Sequence, residues 1–172
     1  MGKILLHSIR FVLFVLVQVL ILNNLELRWG IYPMLYPLFI MLLPLEMTTV
    51  PLLLVSFALG ISIDAFSNTF GLHASAAVVF AYFRPVIFKL LAPRDGYESE
   101  VEGNIYEMGY RWFIYAFGLL LLIHHTWYFL IEHFKLNELL MVLKKTGLSV
   151  VLSFVLSLLV QLIFISRNKS ER

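Results

Sequence analysis

The chain contains no cysteine, and charged residues fill only 14% of its 172 positions. Without a thiol, disulfides and thiolate-based metal or redox chemistry are excluded. A charged fraction this far below the roughly 25% of ordinary soluble domains leaves too little polar cover for a surface in water. Net charge is scarce as well: it is only +2, and the basic residues flank apolar runs instead of forming a stripe, so no nucleic-acid partner is expected. Also missing is any polar stretch long enough for a soluble domain, since the longest, Pro93 to Arg111, has fewer than twenty residues.

What the chain has instead is apolar length. Hydrophobic residues make up 60% of it, and its mean hydropathy is +0.88. Runs such as Phe113 to Ile123 and Leu148 to Ile165 exceed what one buried core requires, which identifies an all-α integral membrane protein. About six segments of plausible spanning length are expected, forming one helical-bundle domain over residues 1–172 with a short basic tail at 166–172. The first runs from Ile4 to Leu22. Lys3 and Arg10 before it suit a signal peptide, but Asn23-Asn24-Leu25-Glu26 is no cleavage site, so an uncleaved helix is expected. The second, Tyr32 to Leu45, carries Pro33, Pro37 and Pro44. As a helix it would cover only about 21 Å of a roughly 30 Å hydrocarbon core, which leaves it tilted, broken or re-entrant. The third begins near Thr48-Thr49, with Pro51 in its first turn, and ends near Asp64. The fourth, Leu72 to Leu91, contains Arg84-Pro85, which predicts a kink or an early exit to the interface. The fifth covers Trp112 to Leu130 and the sixth Val142 to Ile165.

Six spans divide the 13 basic residues nine to four. Lys3, Arg10, Arg84, Lys89, Arg94, Arg111, Arg167, Lys169 and Arg172 share one side, and Arg28, Lys135, Lys144 and Lys145 the other. Basic residues accumulate in the cytoplasm, so both termini are expected there and the Asp64 to His73 turn on the far side. Trp29, Tyr32, Tyr36, Trp127 and Tyr128 fall where interfacial aromatic belts are expected.

A carboxylate at the end of a membrane helix is costly unless paired, wetted or used, which draws attention to Asp64. Ser56, Gly60 and Asp64 are spaced by four and share one face of the third helix, and Ser67 extends it if the helix runs another turn. Small residues at that spacing allow close helix approach. Asp64 either ends its helix at headgroup level or accepts hydrogen bonds from His73, Ser67 or the amides of the Asn68 to Gly71 turn. Ser149, Ser153 and Ser157 repeat every fourth residue, with Gln161 extending the row, and suit a contact within the bundle or a seam for a partner helix. His124 and His125 are adjacent and read as polar groups near a helix end, and His133 lacks the spacing to join them as a metal ligand. The acidic connection from Asp95 to Gly103 reads as a solvated loop. No nucleophile, base and acid can be assembled, so neither an enzyme nor a cofactor or metal site is expected.

The stretch Gly60-x3-Asp64-x2-Ser67-x3-Gly71-Leu72-His73-Ala74 resembles the most recognisable part of the rod shape-determining MreD family, as do the chain length, the helix count and the proline-flanked second segment. The long aromatic-rich fifth segment and the acidic fourth connection depart from many members. The resemblance implies a non-enzymatic inner-membrane component of the cell-wall elongation machinery. Its partners would be an MreC-like single-span protein and, through it, RodA, a penicillin-binding protein and MreB. It also implies a bundle similar to the substrate-binding membrane subunits of energy-coupling-factor transporters. Gly60, Asp64, Ser67, Gly71, His73, Ser149, Ser153 and Ser157 are then structural or partner-binding residues. The competing expectation is a substrate-binding subunit of a vitamin-type transporter, with a pocket opening near Asp64 and His73.

Overall fold

The computed structural model describes residues 2–25, 27, 30–94, 96–97, 101–133 and 139–165. The basic tail, Trp29, Arg28, Lys135 and most of the acid residues of the 95–103 connection lie outside the described residues. Among the described residues the fold is all-α, with seven helices. These are α1 (Gly2–Leu20), α2 (Tyr36–Met41), α3 (Thr49–Ser67), α4 (Leu72–Leu90), α5 (Ile105–Met108), α6 (Tyr110–His133) and α7 (Leu139–Phe164).

Local chemistry sets the boundaries. A single turn of 3-10 helix, Leu22–Asn24, closes α1, and the Asn24 amide donates to the Val19 and Leu20 carbonyls that the helix end leaves free. Pro51 lies in the first turn of α3, where its missing N–H costs nothing. Asn68, at φ 56°, ends that helix in the left-handed conformation that asparagine tolerates. The side-chain oxygen of Asn104 accepts from the Tyr106 and Glu107 amides and so starts α5. Gly109, at φ 82°, then separates α5 from α6.

Helix α4 packs between α3 and α6, α6 packs between α4 and α7, and α1 lies against α3 and α2. All six residues of α2 are buried, so it forms the centre around which the others gather. The bundle has two ends. At one, Arg10 pairs with Glu102 at 2.8 Å, and Gln161 of α7 accepts from the Ile105 amide. At the other, Asn23 bonds Ser67, and Lys145 meets His133. The start of α1 and the finish of α7 therefore share the Glu102 end.

A set of polar side chains is buried among the apolar core residues, while many large apolar side chains face outward. Gln18, Ser56, Asp64, His73, Arg84, His124, His125 and the row Ser149, Ser153, Ser157 and Gln161 are all buried. Leu5, Val12 and Leu16 of α1, Leu54 and Phe57 of α3, and Val151 and Leu162 of α7 are exposed. Water would not tolerate that inversion, whereas lipid favours it. Four segments are long and apolar enough to cross a membrane: Ile4–Asn24, Thr49–Ser67, Tyr110–His133 and Leu139–Phe164. The chain is a multi-pass membrane protein. Helix α4 matches α3 in length, but with His73, Arg84 and Lys89 it is not among the four.

The second apolar segment is broken. Only Tyr36–Met41 is helical, and Ile31 to Leu35 precedes it without regular structure. Non-helical backbone inside a membrane protein must find its hydrogen bonds from the protein. Here the Tyr32 amide donates to Ser149 Oγ (3.0 Å) and the Met34 amide to Ser153 Oγ (2.8 Å). Gln18 of α1 satisfies the other side, accepting from the Leu35 amide and donating to the Pro33 carbonyl. Two residues of extended chain advance about 6.6 Å and four residues of helix about 6 Å, so alternate amides match serines placed at every fourth residue. The serine row is thus a seam within the bundle.

The fourth segment has its expected extent, but of the two alternatives at Arg84-Pro85 the early exit does not occur, because α4 continues through Pro85 to Leu90. Arg84 is 1% exposed and does not reach for the interface; its Nη2 donates to the carbonyls of Leu43 and Pro44, where the broken segment ends.

Candidate functional site

Where α3 turns into α4, the two helices meet at Gly60. A Cβ there would lie 2.6 Å from both the Ala74 nitrogen and the His73 carbonyl oxygen and would strike the Ala74 Cα. Only hydrogen at that position allows so close a crossing. One turn later Asp64 reaches across the contact. Its Oδ2 accepts from the Ala74 amide (2.8 Å), and its Oδ1 accepts from the His73 amide (3.0 Å), the His73 Nδ1 (3.0 Å) and the Thr69 hydroxyl (2.5 Å). Helix α4 begins after Gly71, which has no side chain with which to cap it. Asp64 takes over that role from the preceding helix, its carboxylate lying on the free amides at the positive end of the α4 dipole.

These bonds fix the proton on His73. A carboxylate oxygen only accepts, so Nδ1 carries the hydrogen and Nε2 is left as an acceptor. That Nε2 is buried with no hydrogen-bond partner among the described residues. The His73 ring lies against Tyr128 (centroids 5.0 Å apart) and Tyr36 (5.7 Å).

A second polar chain runs deeper. The Leu121 carbonyl can only accept, so His125 Nδ1 donates to it at 2.9 Å. His125 Nε2 is then free to accept from the Ser153 hydroxyl at 3.0 Å, whose oxygen takes the Met34 amide. His124 Nδ1 faces His125 Nδ1–H at 3.4 Å, so the proton of His124 belongs on Nε2, which donates to the Tyr36 hydroxyl at 2.6 Å. These histidines do not sit near a helix end as expected. Both are fully buried well inside α6, because that helix extends to His133.

Of the sequence-selected residues, Gly60, Asp64, Gly71 and His73 come together in one cluster. Gly71, at φ 90°, supplies the left-handed turn that a side chain would resist. Ser67 does not join them: its hydroxyl accepts from Asn23 Nδ2 (2.6 Å), and Asn23 Oδ1 in turn accepts from Gln18 Nε2 (2.8 Å). Ser149 and Ser153 serve the broken segment, and Ser157 donates back to the Ser153 carbonyl within its own helix. Sequence reasoning passed over the side chains of Thr69, Asn23 and Gln18, and it assigned Tyr36 and Tyr128 to interfacial belts, whereas both are buried in the bundle, against His124 and His73 respectively. Thr69 was findable, as a hydroxyl one turn before His73 in the connection after an acid. The acidic connection is in part folded in, since Glu102 holds Arg10 and its amide donates to Glu107.

A shallow concavity of about 470 Å3 lies over the turn, lined by Ile61, Asp64, Ala65, Asn68, Phe70 and Gly71. The Asp64 oxygens beneath it are already engaged. Among the described residues no three His, Cys, Asp or Glu side chains are arranged to hold a metal ion. A groove of about 670 Å3 is mostly apolar and lies on the flank between α1 and α3, where Phe11, Val12, Phe39, Leu43, Val55 and Ala58 line it. No family model, curated protein or solved structure matches the chain.

Proposed function

We propose that this protein is a non-enzymatic membrane scaffold of the MreD type, holding an MreC-like single-span partner and, through it, RodA, a penicillin-binding protein and MreB. Under this reading the chain crosses the inner membrane six times, through the four long helices, α4 and the broken Ile31–Leu43 segment. Both termini are then cytoplasmic, and the Asp64 to His73 turn faces outward. One observation carries the reading: Asp64, Ser149, Ser153 and His125 spend their hydrogen bonds within the bundle, while an apolar groove runs along the flank between α1 and α3. A subunit that captures a vitamin-like molecule needs convergent polar groups left free in a pocket. A scaffold needs an apolar flank against which a partner helix can pack. The stretch from Gly60 to Ala74 supports the same conclusion, because its residues act together in fixing the α3–α4 hairpin.

The test is purification from membranes in mild detergent. Recovery of an MreC-like protein, with rounding of rod-shaped cells on depletion, is the expected result. Recovery of energy-coupling ATPase subunits with a tightly held small molecule would overturn it and establish the transporter reading.

A further inference from the structure

The Glu102 end holds a buried cation, Arg84, that no acid among the described residues balances. Arg84 forms no ion pair among the described residues, and its Nε is buried without a hydrogen-bond partner. Its Nη2 is held by the Leu43 and Pro44 carbonyls, and its guanidinium carbon stands 4.7 Å over the Phe88 ring. Carbonyl dipoles and a ring face compensate a buried charge only in part, since removing a full charge from water is far more costly than removing a dipole. Arg84 lines a cavity of about 290 Å3 together with Lys89, Tyr97, Met47, Pro85 and Phe88. Among the described residues two cations therefore line it, and no carboxylate does. Tyr97 is fixed at its rim, donating to the Phe88 carbonyl at 2.6 Å and accepting from the Trp112 indole at 3.1 Å.

We propose that this cavity binds the phosphate of an anionic phospholipid. The guanidinium supplies directional donors and the exposed Lys89 ammonium a point charge, the pairing that suits a phosphate oxygen cluster. Leu45, Met47 and Leu52 form apolar wall on which a glycerol backbone and the first acyl carbons rest, and free phosphate gains nothing from that wall. Basic pockets between membrane helices at the cytoplasmic face are where anionic headgroups are retained. The assignment rests on the chain lying in a membrane with its Glu102 end toward the cytoplasm and not on any protein partner, so it stands or falls apart from the scaffold reading.

The experiment uses the full chain in neutral detergent. Native mass spectrometry measures binding of phosphatidylglycerol and of phosphatidylcholine with the same acyl chains, with inorganic phosphate as a third arm. Phosphatidylglycerol should bind more than tenfold tighter than phosphatidylcholine, each cation contributing roughly fivefold. Lys89→Gln, at an exposed position, should cut that preference about fivefold without altering the melting temperature. Arg84→Met should likewise cut it about fivefold, and if that variant fails to fold, Lys89→Gln carries the test alone. Equal binding of the two lipids, or a preference unchanged in Lys89→Gln, would overturn the proposal. So would binding of inorganic phosphate that matches the lipid and is lost in the same variants, because the ligand would then be a free anion.

Discussion

Replacing Asp64 tests whether the α3–α4 hairpin depends on a carboxylate that caps the following helix. In Asp64→Leu the four donors around the side chain lose their acceptor together. Two of them can recover. The Thr69 hydroxyl can rotate, and His73 Nδ1 already lies 3.0 Å from the Thr69 oxygen. The His73 and Ala74 amides cannot, because they are fixed in the first turn of α4 and buried against Gly60. Two unsatisfied buried donors, the same bonds that cap α4, cost about 1–3 kcal/mol each, giving about 2–6 kcal/mol, centred on about 4 kcal/mol, for the leucine variant. Asparagine keeps one oxygen but turns an NH2 toward either the Ala74 amide or the three donors at Oδ1. Its cost is therefore about half as large, about 2 kcal/mol. At about 2–4 °C per kcal/mol for a chain of this length, Asp64→Leu should melt about 10 °C lower and Asp64→Asn about 5 °C lower. Circular dichroism of the detergent-solubilised protein reads both. Melting of both variants within a degree or two of the parent would refute the cap, as would an asparagine variant worse than leucine.

Three further outcomes follow from the packing. Gly60→Ala forces a methyl into the Ala74 backbone and should cost about 2–4 kcal/mol, whereas Gly118→Ala, with nothing near its added methyl, should be neutral or gain about 0.5–1 kcal/mol; thermal melts compare them. Ser153→Ala strands the Met34 amide and one His125 nitrogen, costing about 1–3 kcal/mol, and Ser153→Leu should abolish accumulation in membranes instead of selectively releasing a partner, as quantitative blotting would show. Reporter fusions after Lys3, near Glu100 and after Arg172 should report the cytoplasm and one near Asn68 the outside, and an external C-terminus would refute the sidedness.

The parts of this bundle that could be read from the sequence are those in which both partners announce themselves. Asp64 and His73 are such a pair: an acid and a histidine nine positions apart across a Gly-containing turn, with Gly60 one helical turn earlier on the same face. The serine row was legible as a row, but its partner was not, because the groups it serves are the backbone amides of Tyr32 and Met34, and every residue type except proline carries one. Prolines at 33, 37 and 44 indicated that the second segment could not be an ordinary helix. They could not say which chain would satisfy it. His124 and His125 are adjacent, so on a helix they point about 100° apart. That divergence is what lets one meet Tyr36 and the other Ser153. Arg84 shows the same logic at the Glu102 end. A cation beside a proline in an apolar helix reads as a residue leaving for the interface, unless a broken neighbouring segment turns its free carbonyls inward at the same depth. Two irregularities, each unfavourable alone, thus satisfy one another: the segment that interrupts its own helix supplies acceptors for the arginine and takes donors' partners from the serines. Removing either serine or arginine should therefore be felt first at Ile31 to Pro44, a segment that holds its shape only through what surrounds it.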